Sequence, residues 1–254
     1  MVQEFSEVTG VSEVAYHTIL LEFSSPEIAR LASPGQFVNL RKDDPSFPLL
    51  RRAMSICDVD GTTVKILFSV VGRGTALLSK TKTGETLDVI GPLGHGFNLS
   101  RDFELAVIVG GGLGVAPFPF VTRELLKTKK KIATFIGVRT ANQLALGGLE
   151  NVAVATDDGS EGFRGSVVDL FRTRAPELGN SNPVIFSCGP TPMFEALQRV
   201  VREANIPCEA SVETPMACGI GLCQGCPVEM MGGIRKYKLS CKDGPIFDLS
   251  HVVF

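Results

Sequence analysis

The C-terminal part of the chain carries a group of cysteines whose spacing restricts its fold more than any other sequence feature. Cys218, Cys223 and Cys226 lie close together and Cys241 follows later, in the pattern C-x4-C-x2-C-x14-C. Disulfides, a zinc site and an iron–sulfur cluster are the three candidate explanations. Residues 208–254 have too little apolar content for a conventional core, so something other than packing must hold this segment together.

Disulfides are the least favoured of these explanations. The N-terminal stretch MVQEFSEVTG has neither a positive leader nor an apolar core, so we expect no signal peptide. No apolar run approaches the roughly 20 residues of a membrane span. The expected location is therefore the cytoplasm, where disulfides are rare.

Spacing separates the two metal-based explanations. A structural zinc site usually carries two close pairs of ligands, whereas C-x4-C-x2-C…C is the spacing of plant-type [2Fe–2S] clusters. Gly219, Gly221 and Gly225 lie in the same loop, and glycine lets backbone N–H groups turn toward cluster sulfur. We favour an iron–sulfur cluster, and a zinc site is the alternative that spacing leaves open.

Composition narrows the class of protein. The chain has 254 residues, 44% of them hydrophobic and 20% charged, which predicts a globular protein of two or slightly more domains. The net charge of −2 gives no electrostatic support for nucleic-acid binding.

Residues 1–100 are β-rich. Apolar runs occur in VAYHTILLEF (14–23) and GQFVNLRK (35–42), and AMSICDVDGTTVKILFSVV (53–71) is typical of two strands joined by a turn at Asp60-Gly61. Short strands separated by turns at this spacing predict a small antiparallel barrel.

Residues 101–207 have a different pattern. The short apolar runs ELAVIVG, KKIATFIGV, NVAVAT and NPVIFSCG alternate with helical stretches such as TPMFEALQRVVREAN. Buried strands that alternate with helices predict a doubly wound parallel sheet. Residues 208–254 form a third piece, rich in cysteine and glycine.

Two stretches of the first segment suggest a phosphate-bearing ligand. LLRRAMSI (49–56) brings two adjacent arginines into a strand, and VVGRGT (70–75) places a glycine pair before a helix-like stretch. Such a glycine pair presents backbone N–H groups to a phosphate. Each motif is weak alone, because the arginines could simply belong to a solvated strand edge and a tight turn is the commoner explanation of a lone G-x-G.

Two glycine turns of the second segment suggest a dinucleotide. AVIVGGGLGVAPF (106–118) and FSCGPTPMFEAL (186–197) each join a strand to a helix. Both turns lie at the carboxyl ends of predicted parallel strands, where open α/β sheets bind ligands. The first departs from the full G-x-G-x-x-G pattern with an acidic residue about 20 positions on.

Together these motifs resemble the ferredoxin–NADP reductase superfamily. LLRRAMSI is similar to its R-P-x-S-I flavin motif, with Ala53 in place of the proline, and VGRGT is similar to its pyrophosphate motif. The resemblance implies a six-stranded antiparallel FAD-binding barrel over 1–100, an NAD-binding α/β domain over 101–207 and a [2Fe–2S] domain over 208–254.

The resemblance also implies which residues hold each group. For FAD these are Arg52, Ala53, Met54, Ser55, Val70, Gly72, Gly74 and Thr75. For the nicotinamide nucleotide they are Gly111, Gly112, Gly114, Cys188 and Gly189, with the last two near the nicotinamide. For the cluster they are Cys218, Cys223, Cys226 and Cys241.

The order of the segments and the stretches MACGIGLCQGC and CKDGPIF are most similar to the electron-transfer subunits of two-subunit, NAD-dependent dihydroorotate dehydrogenases. That resemblance implies a subunit carrying FAD and one [2Fe–2S] cluster, paired with an FMN-containing catalytic subunit in a heterotetramer of two plus two. Electrons would run from dihydroorotate through FMN, the cluster and FAD to NAD⁺, in pyrimidine biosynthesis.

Other functions remain open from sequence. Diaphorase-type subunits of hydrogenases and ferredoxin–NADP oxidoreductase subunits share this module, and a zinc-stapled binding module without redox activity is an alternative of another class. We find no acid–base or nucleophilic constellation, so no catalytic residue is assigned and the chain is expected to be a relay. Arg139 follows a strand where it could meet a 2′-phosphate, so the sequence does not decide between NAD and NADP.

Overall fold

The computed structural model describes residues 1–42, 49–178, 181–232 and 234–254. Its strands form a closed barrel, a seven-stranded sheet and a two-stranded hairpin. Among the described residues, no helix has both the length and the apolar character that crossing a membrane requires.

The N-terminal unit is an antiparallel barrel whose strands follow the order β1-β2-β5-β4-β3-β6. Its elements are β1 (Val2–Ala15), β2 (Thr18–Ser24), α1 (Pro26–Leu31), β3 (Phe37–Lys42), β4 (Arg52–Asp60), β5 (Thr63–Ser69), α2 (Arg73–Leu78) and β6 (Thr86–Leu93). The predicted hairpin is present, because Asp60 pairs with Thr63 across a turn in which Gly61 has a φ of +57°. The six-stranded barrel prediction is confirmed.

Most of strand β1 is absent from the sequence expectations, whose first apolar run, over 14–23, spans the turn from β1 to β2 in the structure. The reason lies on the inward face of β1, where Glu4 and Ser6 interrupt the apolar alternation expected of a half-buried strand. Glu4 Oε2 accepts hydrogen bonds from Ser25 Oγ at 2.6 Å and from the Ile28 N–H at 3.1 Å. This carboxylate therefore satisfies the start of α1 from inside the barrel wall.

The second unit is a mostly parallel sheet of order β10-β9-β8-β7-β11-β12-β15. Its elements are β7 (Leu105–Gly111), α3 (Phe118–Leu126), β8 (Lys131–Val138), β9 (Val152–Thr156), β10 (Phe163–Arg164), α4 (Val167–Arg174), β11 (Pro183–Cys188), α5 (Thr191–Ala204) and β12 (Cys208–Ser211), with short 3₁₀ helices at Gly112–Val115, Ala141–Gln143 and Ala175–Leu178.

Helices cover both faces of this sheet, as the doubly wound prediction requires. On β7, Ala106 and Ile108 pack with α3, whereas Leu105, Val107 and Val109 pack with α4 and α5. Alternate residues of a strand point to opposite faces, so the near-continuous apolar run of β7 is explained by burial on both sides.

The C-terminal segment contains β13 (Pro227–Glu229), β14 (Tyr237–Leu239), β15 (Ile246–Asp248) and a 3₁₀ helix at Leu249–His251. Strands β13 and β14 form an antiparallel hairpin. Strand β12 lies parallel to β11, and β15 pairs antiparallel with β12 at the sheet edge. Residues 208–211 and 246–248 therefore extend the second sheet, although the sequence placed them in the third segment.

Candidate functional site

The predicted flavin motif lies on β4 against β3. Ser55 pairs with Phe37, Ala53 with Asn39 and Arg52 with Leu40. Met54 packs toward the barrel core, so the alternation of the strand directs Ala53 and Ser55 to the outside.

The structure brings Arg52 to the glycine turn that precedes α2. A Cβ on Gly74 would overlap the Arg52 guanidinium, so glycine at this position makes room for the arginine. Thr75 Oγ1 accepts from the N–H groups of Val71 and Gly72 at 3.0 and 3.1 Å and donates to Gly72 O. The threonine therefore fixes the turn, and the arginine supplies a cation beside it.

The four-cysteine loop places two thiols in an apolar environment and two nearer to solvent. Cys226 and Cys241 are buried with their Sγ atoms 3.2 Å apart, whereas Cys218 is half-buried and Cys223 exposed. Burial and the neighbouring Cys226 thiol raise the pKa of Cys241 to about 12. Two thiolates this close need a compensating positive charge, which iron or another metal would provide.

Backbone N–H groups of the loop point at sulfur. Cys218 Sγ accepts from Cys223 N at 3.4 Å and from Ile220 N at 3.5 Å, and Cys241 Sγ accepts from Gly221 N at 3.2 Å. Desolvation would raise the pKa of Cys218, but these N–H donors outweigh it and lower the pKa to about 6. The thiolate that a metal ligates is therefore favoured at Cys218.

The donor set fits a two-iron cluster. Within the described part of the chain, no three His, Cys, Asp or Glu side chains converge as ligands of a single ion. A [2Fe–2S] cluster takes two protein ligands at each iron, so its four cysteines need not converge in threes. Gly219 and Gly221 adopt φ of +70° and +83°, which shapes the loop that carries the N–H donors.

The barrel holds the cluster loop directly. Asn39 Nδ2 on β3 donates to Cys218 O at 3.0 Å. Cys226 and Cys241 share one apolar cluster with Phe37 and Leu93 of the barrel, and Ala53 packs against it. The outer face of β4 thus packs against the apolar cluster that contains both buried cysteines.

A cleft of about 740 Å³ lies between the barrel and the carboxyl ends of the parallel strands. Of the residues predicted to bind cofactors, it is lined by Val70, Gly111, Gly112, Gly114 and Gly189. The other predicted flavin residues do not line this cleft. Cys188 is 1% exposed and lies behind Gly189, and burial raises its pKa far above the ordinary value.

The two glycine turns are in contact at the floor of the cleft. A Cβ on Gly114 would overlap the Cys188 carbonyl and lie 2.7 Å from Gly189 N, and a Cβ on Gly189 would lie 3.2 Å from Gly111 N. Glycine is required here because neighbouring strand ends approach more closely than a side chain allows.

Other residues that line the cleft carried little signal in the sequence. Tyr16 and His17 come from the β1–β2 turn, and Glu213 follows β12. Desolvation by the surrounding protein raises the pKa of the Glu213 carboxyl, and the residue lines the cavity. Arg139, which follows a strand where it could meet a 2′-phosphate, lines the cleft, as does Asp157.

Comparisons with known proteins agree with this geometry. Residues 213–253 match the family model described as the iron–sulfur cluster binding domain of dihydroorotate dehydrogenase B. The dihydroorotate dehydrogenase B (NAD(+)) electron transfer subunit of Desulforamulus reducens is 37% identical, over 98% of this chain and 97% of that protein. The same subunit of Bacillus caldolyticus is 36% identical over 94% of each chain.

Solved structures give the same result. The structure of an NADH-dependent reduced ferredoxin–NADP oxidoreductase matches with a TM-score of 0.87 and 27% identity, over 98% of this chain and 90% of that one. A ferredoxin–NADP⁺ reductase from Neisseria gonorrhoeae with bound FAD and NADP matches with a TM-score of 0.67 at 18% identity, over 79% of this chain and 91% of that one. At 18% identity the second match concerns the fold alone.

A closed barrel that packs against a cysteine loop and also lines a nucleotide-type cleft defines a reductase of the ferredoxin–NADP reductase class, extended by an iron–sulfur domain. The most similar sequences reported above belong to one family within this class. The chain belongs to the family of dihydroorotate dehydrogenase B (NAD(+)) electron transfer subunits. The resemblance stated from the sequence is confirmed, and the family name implies a catalytic partner subunit.

Proposed function

We propose that the chain carries electrons between a partner subunit and NAD, through an iron–sulfur cluster and FAD, in the oxidation of dihydroorotate to orotate. The packing of Ala53 against the apolar cluster that contains the buried cysteines Cys226 and Cys241 is the observation that carries this proposal. It places the strand of the flavin motif against the apolar cluster in which two of the four cysteines are buried.

The residues that would hold each group follow from the site. Arg52 would pair with an FAD phosphate beside Gly72, Gly74 and Thr75, since a guanidinium suits bidentate phosphate contacts. Ala53, Met54, Ser55 and Val70 would line the flavin. A flavin, when bound, exchanges electrons in pairs with a nicotinamide and singly with an iron–sulfur cluster.

In this scheme the residues of the chain itself bind and orient the cluster and the dinucleotide. The four cysteines would ligate the cluster, with N–H groups from Ile220, Gly221 and Cys223 stabilising the sulfur charge. The glycines at 111, 112, 114 and 189 would let the dinucleotide approach the backbone. Cys188, buried behind Gly189, would shape this floor and not act as a nucleophile.

The partner would be an FMN-containing catalytic subunit, assembled as a two-plus-two heterotetramer. Ile220 and Leu222 of the cluster loop are 36% and 78% exposed, beside the exposed Cys223. This surface gives single electrons a route out of the chain. Cytoplasmic location suits the seven free thiols, because a reducing compartment keeps them available.

A second candidate has one specific observation in its favour. The match to the NADH-dependent reduced ferredoxin–NADP oxidoreductase covers 98% of this chain. In this alternative the chain is the electron-transfer subunit of a complex with a different partner. Purifying the tagged chain from its native cell and identifying the co-purified subunit separates the two functions.

Reconstitution tests the main proposal. The full chain loaded with FAD and cluster should lose its flavin absorbance when NADH is added, and it should not oxidise dihydroorotate by itself. Addition of the partner subunit should produce NADH from dihydroorotate and NAD⁺. Oxidation of dihydroorotate by the isolated chain would contradict the relay role, and a colourless protein holding one zinc would contradict the redox role.

Replacing Arg52 by alanine should weaken FAD binding about 30-fold, equivalent to about 2 kcal/mol, because charge-assisted hydrogen bonds to phosphate are lost. Arg52→Lys should recover part of the loss, since lysine keeps the charge but not the planar fork. Arg30→Ala is the matched control, because Arg30 pairs with Glu27 on the exposed surface of the same domain. FAD titration of the apoprotein measures all three, and equal affinity of Arg52→Ala and parent would refute the assignment.

A further inference from the structure

The nucleotide cleft has an aromatic wall that belongs to the barrel. Among the described residues that line the cleft, Tyr16 and His17 supply the only aromatic rings. The whole chain contains two tyrosines and no tryptophan. A dinucleotide presents flat bases, and aromatic side chains are the groups that pack on such faces.

The turn formed by these residues is fixed to both sides of the cleft. Tyr16 N donates to Asn142 O at 2.8 Å, which ties the turn to the 3₁₀ helix that follows β8. His17 O accepts from Val70 N at 3.0 Å, which ties it to the end of β5. The turn therefore bridges the barrel and the α/β domain.

The turn also holds a conformation that its residues disfavour. His17 has a φ of +54°, in the left-handed region that residues other than glycine rarely adopt. Glu13 Oε1 accepts from His17 N at 2.8 Å and supports the turn. The His17 and Tyr16 rings pack with centroids 4.1 Å apart, yet the tyrosine is 55% exposed. The imidazole thus contacts the tyrosine ring at an interplanar angle of 54°, and Tyr16 lines the cleft.

The position of the turn indicates which half of the dinucleotide would lie against it. Gly189 follows β11 and Arg139 follows β8, with β7 between them, so these two ends lie about 10 Å apart at ordinary strand spacing. Tyr16 N donates to Asn142 O, and the next residue, Gln143, lines the cleft together with Arg139. Tyr16 therefore lies on the Arg139 side of the cleft. The nicotinamide is expected at Gly189, so the adenosine half extends toward Tyr16.

We propose that the Tyr16–His17 turn is a binding element of the nucleotide cleft and that the Tyr16 ring stacks on the adenine base of NAD(H). The inference rests on the proposed function, because it assumes that the cleft binds a nicotinamide dinucleotide. It adds a contact supplied by the barrel, which couples nucleotide binding to the relative position of the two domains.

Two ligands that differ only in the adenosine half test the proposal. NADH and reduced nicotinamide mononucleotide are titrated against the full chain loaded with FAD and cluster. Tyr16→Ala should weaken NADH binding about tenfold, the size of a lost base–aromatic stack, and leave mononucleotide binding unchanged. Tyr16→Leu, which fills similar space without a ring, should lose the same affinity, and Tyr16→Phe should bind as the parent does.

Tyr237→Ala is the matched control, since Tyr237 is 50% exposed on β14 of the cluster segment, away from the cleft. Three outcomes would overturn the stacking role alone. Tyr16→Ala could weaken the binding of both ligands equally, or Tyr16→Phe could bind NADH as weakly as Tyr16→Ala does. The third is an unchanged NADH affinity in Tyr16→Ala and Tyr16→Leu. A parent chain that binds neither ligand would overturn the proposed function and the stacking role together. Flavin content and circular dichroism verify that each variant is folded.

Discussion

Cys226→Ser should remove the iron–sulfur cluster and leave FAD bound. Cys226 is 2% exposed and packs with Cys241 against barrel residues, so no other thiol of the described chain can take its place without moving the loop. The variant should retain less than about a tenth of the parent's iron and acid-labile sulfide. NADH should still reduce the flavin, whereas electron delivery to the partner subunit should be lost.

The cluster loss should also loosen the C-terminal segment. Residues 213–226 contain no helix or strand in the structure, and metal ligation contributes folding free energy directly in such segments. Amide hydrogen exchange should therefore accelerate around the loop and hairpin β13–β14, and not in the barrel.

Cys208→Ser is the matched control for this experiment. Cys208 is 3% exposed on β12 and lies in the sheet core, so serine there places a hydroxyl in apolar surroundings and costs about 1–3 kcal/mol of stability. It should keep a full cluster. A Cys226→Ser variant with parental iron content, or a Cys208→Ser variant without iron, would contradict the ligand assignment.

Gly114→Ala should disrupt the nucleotide cleft. The added methyl group would overlap the Cys188 carbonyl, and backbone at the end of a buried strand cannot move aside as a flexible side chain can. We expect a loss of about 3 kcal/mol in the free energy of unfolding of the second domain, typical of overpacking. NADH binding should fall by at least about a hundredfold, since the turn after β7 must shift away from β11.

Gly147→Ala controls for the loss of glycine itself. A Cβ on Gly147 meets no atom within 4 Å, and its substitution should leave both stability and NADH affinity unchanged. Hydrogen exchange of β7 and β11 reports the stability, and titration with NADH reports the cleft. If Gly114→Ala behaves like Gly147→Ala, the close approach of the two turns does not control the site.

Much of the fold was predictable from local patterns. Strand β7 of the central sheet, buried on both faces, appears as a continuous apolar run. In the barrel, Asp60-Gly61 marks the β4–β5 hairpin because glycine accepts a positive φ. Strand β1 was not predictable this way, because its inward Glu4 is satisfied by Ser25 and Ile28, which are distant in sequence.

The sequence by itself determined the groups that the chain can bind, because cysteine spacing and glycine turns are local requirements of cluster and phosphate geometry. Only the tertiary structure decided how those groups are arranged. The packing of Ala53 against the cluster of Cys226 and Cys241, the close approach of two glycine turns and the bridging turn at Tyr16 each join residues far apart in the chain. Such contacts arise from the docking of barrel, sheet and loop, and no periodicity within one segment encodes them.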